Sequence, residues 1–276
     1  MKMDPLFMLA LLITGAAVGA VSGMLGVGGC FIMIPVQYYV LVASGIDPTI
    51  AIRVSFGTNL LVVLPTAVSG AFRHNKKGAV LWRQAITLGV VGAASGFFGA
   101  FVASQLPGAI LKVIFGSAIL LGSLRMTTAK PLRVEGEVNQ NMAAYVFWGI
   151  VLGFVTGLIG IGGGVLVVPV MVIFLNFHMH EAVGSSTAMM IFTSLGGALS
   201  YMILGLGVAG LPEFSIGYVN LLQWVLLAGT SIPMAQVGAH IAHKINAKAL
   251  KWIFIVVMIY MALKMIGVFD LLGLPI

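Results

Sequence analysis

Two segments of this chain are near copies of one another. Residues 19–35 read GAVSGMLGVGGCFIMIP and residues 153–169 read GFVTGLIGIGGGVLVVP, a shift of 134 positions (153 − 19). Each threads a cluster of glycines through an apolar stretch and closes on a proline. Glycine gives up the most backbone entropy in a helix and proline lacks the amide hydrogen, so such a segment interrupts a helix rather than extending it. The chain is therefore a duplication with a broken helix at the same place in each half. The likeness continues past the glycines. Residues 51–55 and Ser69 match 182–186 and Ser200 at a shift of 131 (182 − 51), and from Gly78 the shift is 139 (217 − 78), with Val80, Gly99 and Lys112 matching Val219, Gly238 and Lys251. Two repeats, 1–126 and 142–276, flank a polar linker at 127–141 that carries Lys130, Arg133, Glu135 and Glu137.

Hydrophobic residues make up 60% of the 276 and charged residues 8%, and the mean hydropathy is +1.13. No soluble fold hides that much apolar surface, so the solvent is a lipid bilayer. Apolar runs of about 20 residues match a hydrocarbon core of roughly 30 Å, whereas 31–44 and 165–177 are short for a full crossing. In hydrocarbon the backbone must satisfy its own hydrogen bonds, so the runs are helices. Residues 6–26 lead straight into the first motif and read as a retained span, not a cleaved signal.

Loop charge gives the orientation. Residues 73–83 hold Arg73, Lys76, Lys77 and Arg83, while the equivalent 207–217 hold only Glu213. The next pair reverses, with Lys112 alone in 104–112 but Lys244, Lys248 and Lys251 in 243–251. Short basic loops stay cytoplasmic, which puts equivalent loops on opposite faces and makes the repeats inverted. Inversion needs an odd number of crossings per half. The glycine segment then closes either a helix pair or a re-entrant hairpin, and each half has five segments. The expected fold is an all-α integral membrane protein of the cell (inner) membrane: about ten helical segments in two inverted repeats, with a cytoplasmic linker and both termini outside. Interrupted helices in inverted repeats characterise secondary transporters, whose sites lie near the bilayer midplane.

The twin motifs GVGGC-x4-P and GIGGG-x4-P, the Ala-x-x-x-Ser segments after them, HNKKGAV at 74–80 and GYVN at 217–220 resemble the sulfite exporter TauE/SafE family of membrane transporters across nearly the whole chain. The resemblance implies movement of small sulfur-containing anions such as sulfite, thiosulfate or organosulfonates.

Glycines at a break leave amide hydrogens uncovered, and a helix that starts just after them aims the positive end of its dipole at the gap. Gly28, Gly29, Gly162, Gly163 and Gly164 thus form candidate amide nests for an oxyanion; the alternative is close helix packing of the kind that Gly19-x-x-x-Gly23 and Gly153-x-x-x-Gly157 serve. Cys30 stands where the second copy has Gly164, and a lone buried thiol reads as a small hydrophobe. Arg53, five residues after Pro48 in an apolar run, either neutralises the anion, or pairs with Asp47 or snorkels to the outer surface. Ser55, Thr58 and Asn59, with Ser185, Ser186 and Thr187, supply hydrogen-bond donors near the expected depth; such hydroxyls also bond to their own helix backbone. Gln37, Gln105 and Gln236 are weaker candidates for the same part.

The net charge of +7 follows from the basic cytoplasmic loops and anionic lipid, so no nucleic-acid partner is expected. The glycine clusters lack the Lys-Ser/Thr of a phosphate-binding loop, and no paired carboxylates, metal-ligand set or nucleophile–base pair falls at a common depth. The expectation is a carrier with no cofactor, no metal and no catalytic residue, a passive anion channel being the alternative. His178, His180 and Glu181 read as helix capping, and the four tryptophans as interface anchors.

Overall fold

In a computed structural model, residues 5–25, 30–128, 138–241 and 247–271 are described. They form α1 (Pro5–Leu25), α2 (Cys30–Ala43), α3 (Pro48–Lys76), α4 (Trp82–Gln105), α5 (Gly108–Thr128), α6 (Met142–Ile159), α7 (Gly164–Phe174), α8 (Met179–Leu204), α9 (Leu221–Ile241), α10 (Ala247–Ile266) and the single turn α11 (Val268–Leu271). A two-residue hairpin, β1 (Ser215–Ile216) and β2 (Val219–Asn220), joins α8 to α9. The protein is all-α and integral to the membrane. The helices α3, α4, α5, α6 and α8 are each long and apolar enough to span it, and large apolar side chains such as Phe98, Phe147 and Ile203 point outward, as a lipid-facing surface requires. Gly28 and Gly29, and the charged linker residues Lys130, Arg133, Glu135 and Glu137, lie outside the described residues.

Close packing links the halves rather than closing each on itself. Along the α4–α6 contact, added Cβ atoms at Gly153 and Gly157 would overlap the backbone of Gly92 and Gly96, and one at Gly99 would overlap Phe154. The equivalent contact joins α1 to α9, where Gly15 and Gly19 lie against Leu227, Thr230 and Ser231. Small residues let these backbones touch, since burial against lipid tails gives no hydrophobic drive for helices to associate.

The contacts also fix helix directions. Going up α3, Gly57, Leu60, Gly70 and His74 meet Tyr201, Gly197, Thr187 and Gly184 going down α8, so these equivalent helices are antiparallel. Thr58 and Leu61 meet Asn220 and Trp224, so α9 runs with α3. The contacts of Gly15 and Gly19 set α1 with α9, and those of Gly89, Gly92 and Gly149 set α4 with α6 and α8. Thus α1, α3 and α9 point one way, and their counterparts α6, α8 and α4 the other.

One part of the sequence alignment slips. Gly57 packs on Tyr201 and Tyr218 as Gly184 packs on His74 and Ala79, and Gly70 meets Thr187 as Gly197 meets Leu60. Asn220 N donates to Thr58 Oγ1 as Leu81 N donates to Ser185 Oγ. Structurally, α3 matches α8 at a shift of 127 (184 − 57), one helical turn from the 131 of the sequence match. A four-residue slip keeps nearly the same face of a helix, so the apolar pattern does not register it.

Candidate functional site

The helix α6 ends on Gly160, whose left-handed backbone (φ 67°) returns its amide to Thr156 O. Gly162 (φ 78°) and Gly163 (φ 116°) continue the turn in conformations closed to ordinary side chains, and α7 starts at Gly164 with no side-chain cap. Asn139 N, just ahead of α6, donates to Leu175 O, just past α7. The α6–α7 unit is therefore a re-entrant hairpin that enters and leaves at one end of the molecule. Its turn runs from Gly160, which meets Phe56 in the first third of α3, to Gly162, which meets Val63 on α3 and Ser194 on α8 near the middle of both helices.

Neutral donors hold the tip by its carbonyls. Asn59 Nδ2 donates to Gly160 O (2.7 Å), Thr193 Oγ1 to Gly162 O (3.2 Å) and Tyr201 OH to Gly157 O (2.9 Å). With those oxygens engaged, what the tip offers to a ligand is the N-terminal end of α7 and its amide hydrogens. That suits an anion; a bare cation would compete for the same carbonyls. Two buried side-chain oxygens beside the tip, Asn59 Oδ1, which can only accept, and Ser194 Oγ, which can donate or accept, have no partner among the described residues. A buried polar group left unmatched costs about 1–3 kcal/mol, so this arrangement is matched to water or a ligand.

Asn59 also touches the other half of the duplication. Cys30, the first residue of α2, is 5% exposed and lies beside the Asn59 side chain. Asn59 of α3 thus links the start of the half-helix α2 to the C-terminal cap of α6, four residues before α7 begins. Of the residues expected from sequence, the structure gathers Cys30, Asn59, Gly162, Gly163 and Gly164 here.

The others are placed differently. Arg53 lies near the start of α3, where Nη1 donates to Tyr218 OH (3.1 Å) and Nη2 to Leu106 O (3.0 Å). Asp47 is engaged in capping α3, its Oδ1 accepting from Thr49 N and Ile50 N. Ser55, Ser186 and Thr187 donate to carbonyls one turn back in their own helices, while Thr58 and Ser185 accept the backbone amides of Asn220 and Leu81. Of the three weaker glutamines, Gln37 is fully buried with neither amide atom bonded among the described residues, whereas Gln105 and Gln236 are exposed. Glu181 takes the His178 amide, in keeping with the capping reading.

Sequence reasoning passed over Gly160, Thr193, Ser194 and Tyr201. Thr193 and Ser194 stand nearly two turns further along α8 than Ser185 to Thr187, and their role depends on how deep the α6–α7 tip reaches. Gly160, however, was visible as the C-terminal glycine of an apolar run.

The sequence model of the family described as sulfite exporter TauE/SafE matches residues 11–265. A probable membrane transporter protein of Methanocaldococcus jannaschii is 28% identical, over 95% of this chain and 94% of its own. One of Haemophilus influenzae is 26% identical, over 94% and 98%, and one of Bacillus subtilis 24%, over 94% and 98%. No solved structure matches.

Proposed function

The chain belongs to the sulfite exporter TauE/SafE family, and from that membership we propose that this membrane transporter carries small sulfur-containing anions, sulfite or organosulfonates, outward by alternating access. One observation carries the reading: Asn59 stands between the two helix breaks, bonded to Gly160 O and in contact with Cys30. Two half-helix N-termini aimed from opposite ends at one mid-depth point make a site for a tetrahedral or pyramidal oxyanion. Ser194 Oγ, the second hydrogen of Asn59 Nδ2 and the amides of Gly162 to Gly164 would hold it, with Asn59 Oδ1 accepting from water or from a protonated oxygen of the anion.

The same reading treats the chain as two inverted repeats, 1–126 and 142–276, about a linker at 127–141. What supports it is that α1, α3 and α9 run against their counterparts α6, α8 and α4. It also favours a cytoplasmic position for the end bearing Arg73, Lys76 and Lys77, with Arg53 and Glu213 outside. Related proteins carry the name of transporter, and the site holds donors for a charge rather than a nucleophile and a base, so the reading includes no catalysis.

Purified protein in liposomes, loaded with sulfite, thiosulfate, sulfate or a short sulfonate, tests this. Saturable flux with counterflow is expected for at least one sulfur anion. Flux that rises linearly with concentration and shows no counterflow would make the protein a channel, and the absence of flux for every anion would remove the proposal.

A further inference from the structure

The four-residue slip between α3 and α8 exposes a second correspondence. At one end of the molecule Arg53, Phe56, Tyr201 and Tyr218 form a filled cluster. Phe56 and Tyr201 are fully buried, Tyr218 is 3% exposed, and the rings of Tyr201 lie 6.5 Å from those of both Phe56 and Tyr218. Arg53 stacks over Tyr218 at 5.7 Å and ties it to Leu106. At the shift of 127 the counterparts of Arg53, Phe56 and Tyr201 are His180, Val183 and His74, and the contacts of Gly57 and Gly184 equate Tyr218 with Ala79. Those four residues, with Lys77, line a surface cavity of about 400 Å³ at the other end.

Related positions are thus packed shut at one end and open at the other. Replacing a phenylalanine by valine and two tyrosines by alanine and histidine removes ring volume, and no phenyl, phenol or indole ring is among the lining residues to refill it. The residues that remain carry an ammonium and two imidazoles. Glu181, one residue from His180, is turned to the backbone amide of His178, and Arg73 and Lys76 stand on the same last turn of α3. The start of α8 adds a helix N-terminus to this field.

We propose that the His74–Lys77–His180 cavity is an oxyanion-binding mouth of the transport path at the basic end, and that the Arg53–Tyr218–Tyr201 cluster is its closed counterpart at the opposite end. The entrance part rests on the transporter reading above; the anion-binding part does not. The fixed charges at this mouth, Lys77 with Arg73 and Lys76 on the same turn, are of one sign and raise the local concentration of the opposite ion, and imidazole N–H groups can donate to it while neutral.

The experiment uses the full chain in lipid nanodiscs, where both faces are accessible. Val183→Cys and, separately, Ala79→Cys are reacted with a sulfonate-bearing and with a trimethylammonium-bearing methanethiosulfonate, each rate being normalised to a free thiol. The wild-type chain with Cys30 alone gives the background. The anionic reagent is expected to react at least about fivefold faster than the cationic one, a preference of the size that local fields produce. Lys77→Gln with His74→Gln is expected to bring the ratio close to one. Sodium sulfate is expected to slow both reagents more than sodium chloride of equal ionic strength. Equal normalised rates, or no protection by sulfate beyond chloride, would overturn the anion site whether or not the protein carries a sulfur anion. Ala79→Tyr with His180→Arg rebuilds the closed cluster and is expected to stop flux of any anion that the wild type carries. Wild-type flux in that variant, with labelling of Val183→Cys in the rebuilt chain abolished, would leave an anion site that is no entrance.

Discussion

The Asn59 side-chain nitrogen lies 2.7 Å from the Gly160 carbonyl oxygen, a hydrogen bond that joins the middle of α3 to the tip of the α6–α7 hairpin. Asn59 is fully buried, and its amide oxygen has no partner among the described residues. Asn59→Leu leaves the Gly160 carbonyl unmatched in an apolar interior, at about 1–3 kcal/mol. The expected outcome is a lower melting temperature and at least about tenfold weaker anion binding. Asn59→Asp adds a negative charge beside a carbonyl and at the anion's own position, so binding should be lost altogether. Calorimetry on purified variants checks both, and wild-type affinity in Asn59→Leu would remove this residue from the site.

Gly163 adopts φ 116°, and an added Cβ there would come 3.0 Å from the Val167 side chain. A β-branched residue is strained in that backbone region and would cover the amides at the start of α7. Gly163→Val is therefore expected to insert and span normally but to carry no anion. Gly78, with φ 67° and nothing within 4 Å of an added Cβ, provides the control. Gly78→Ala meets the backbone cost alone, about 1–2 kcal/mol, and should retain flux. Transport at the wild-type rate in a well-expressed Gly163→Val chain would reduce the glycines to packing elements.

The glycine clusters, the apolar runs and the basic loops were legible because each is a local pattern with its own physical requirement. Depth was not. That Thr193 reaches Gly162, 31 positions away in sequence, follows from how far the hairpin penetrates, which neither segment encodes alone. The partners of Arg53 were equally hidden: Leu106 is 53 positions off and Tyr218 is 165. The slip of one turn between α3 and α8 went unseen because Ala51 and Ser55 resemble Ala182 and Ser186, whereas the pairing is decided by where Gly57 and Gly184 let a neighbouring backbone in.

Gly153 on α6 faces Gly92 on α4 with no room for a Cβ. Gly153→Leu should separate the two helices and, because this contact joins the halves, weaken the assembly rather than one hairpin. Loss of about 2 kcal/mol or more is expected, from forced backbone shifts in a packed interior. Ala at Phe147, which is 59% exposed to the outside of the bundle, should change stability little. Thermal unfolding in detergent compares the two, and equal melting temperatures would show that the glycine contact is not limiting.

Single cysteines at Lys76, Lys248 and Glu213 test the membrane orientation. The helices α3 and α9 are parallel, so Lys76 at the end of α3 and Lys248 just beyond α9 should react from the same side, with Glu213 reacting from the other. Impermeant labelling in oriented vesicles should place the two lysine positions in the cytoplasm. Opposite sidedness of Lys76 and Lys248 would remove the inverted arrangement.

Arg53 separates a closing element from a substrate ligand. Its guanidinium joins the start of α3 to the hairpin before α9, through Tyr218 OH, and to the α4–α5 connection, through Leu106 O. Two bonds from one planar fork need an arginine, since a lysine ammonium on the same stem reaches only one of them. If Arg53 holds that end shut, Arg53→Lys and Arg53→Gln should both raise the leak of anions and the access of thiol reagents to Tyr218→Cys, leaving equilibrium affinity within about twofold of wild type. Tyr218→Phe removes one of the two bonds and should give the same leak in weaker form. Asp47→Ala, which removes the α3 cap instead, should cost about 1 kcal/mol of stability with neither effect. A tenfold or greater loss of anion affinity in Arg53→Gln, with no change in leak, would instead assign the guanidinium to the substrate and leave the end to be closed by the rings of Phe56, Tyr201 and Tyr218.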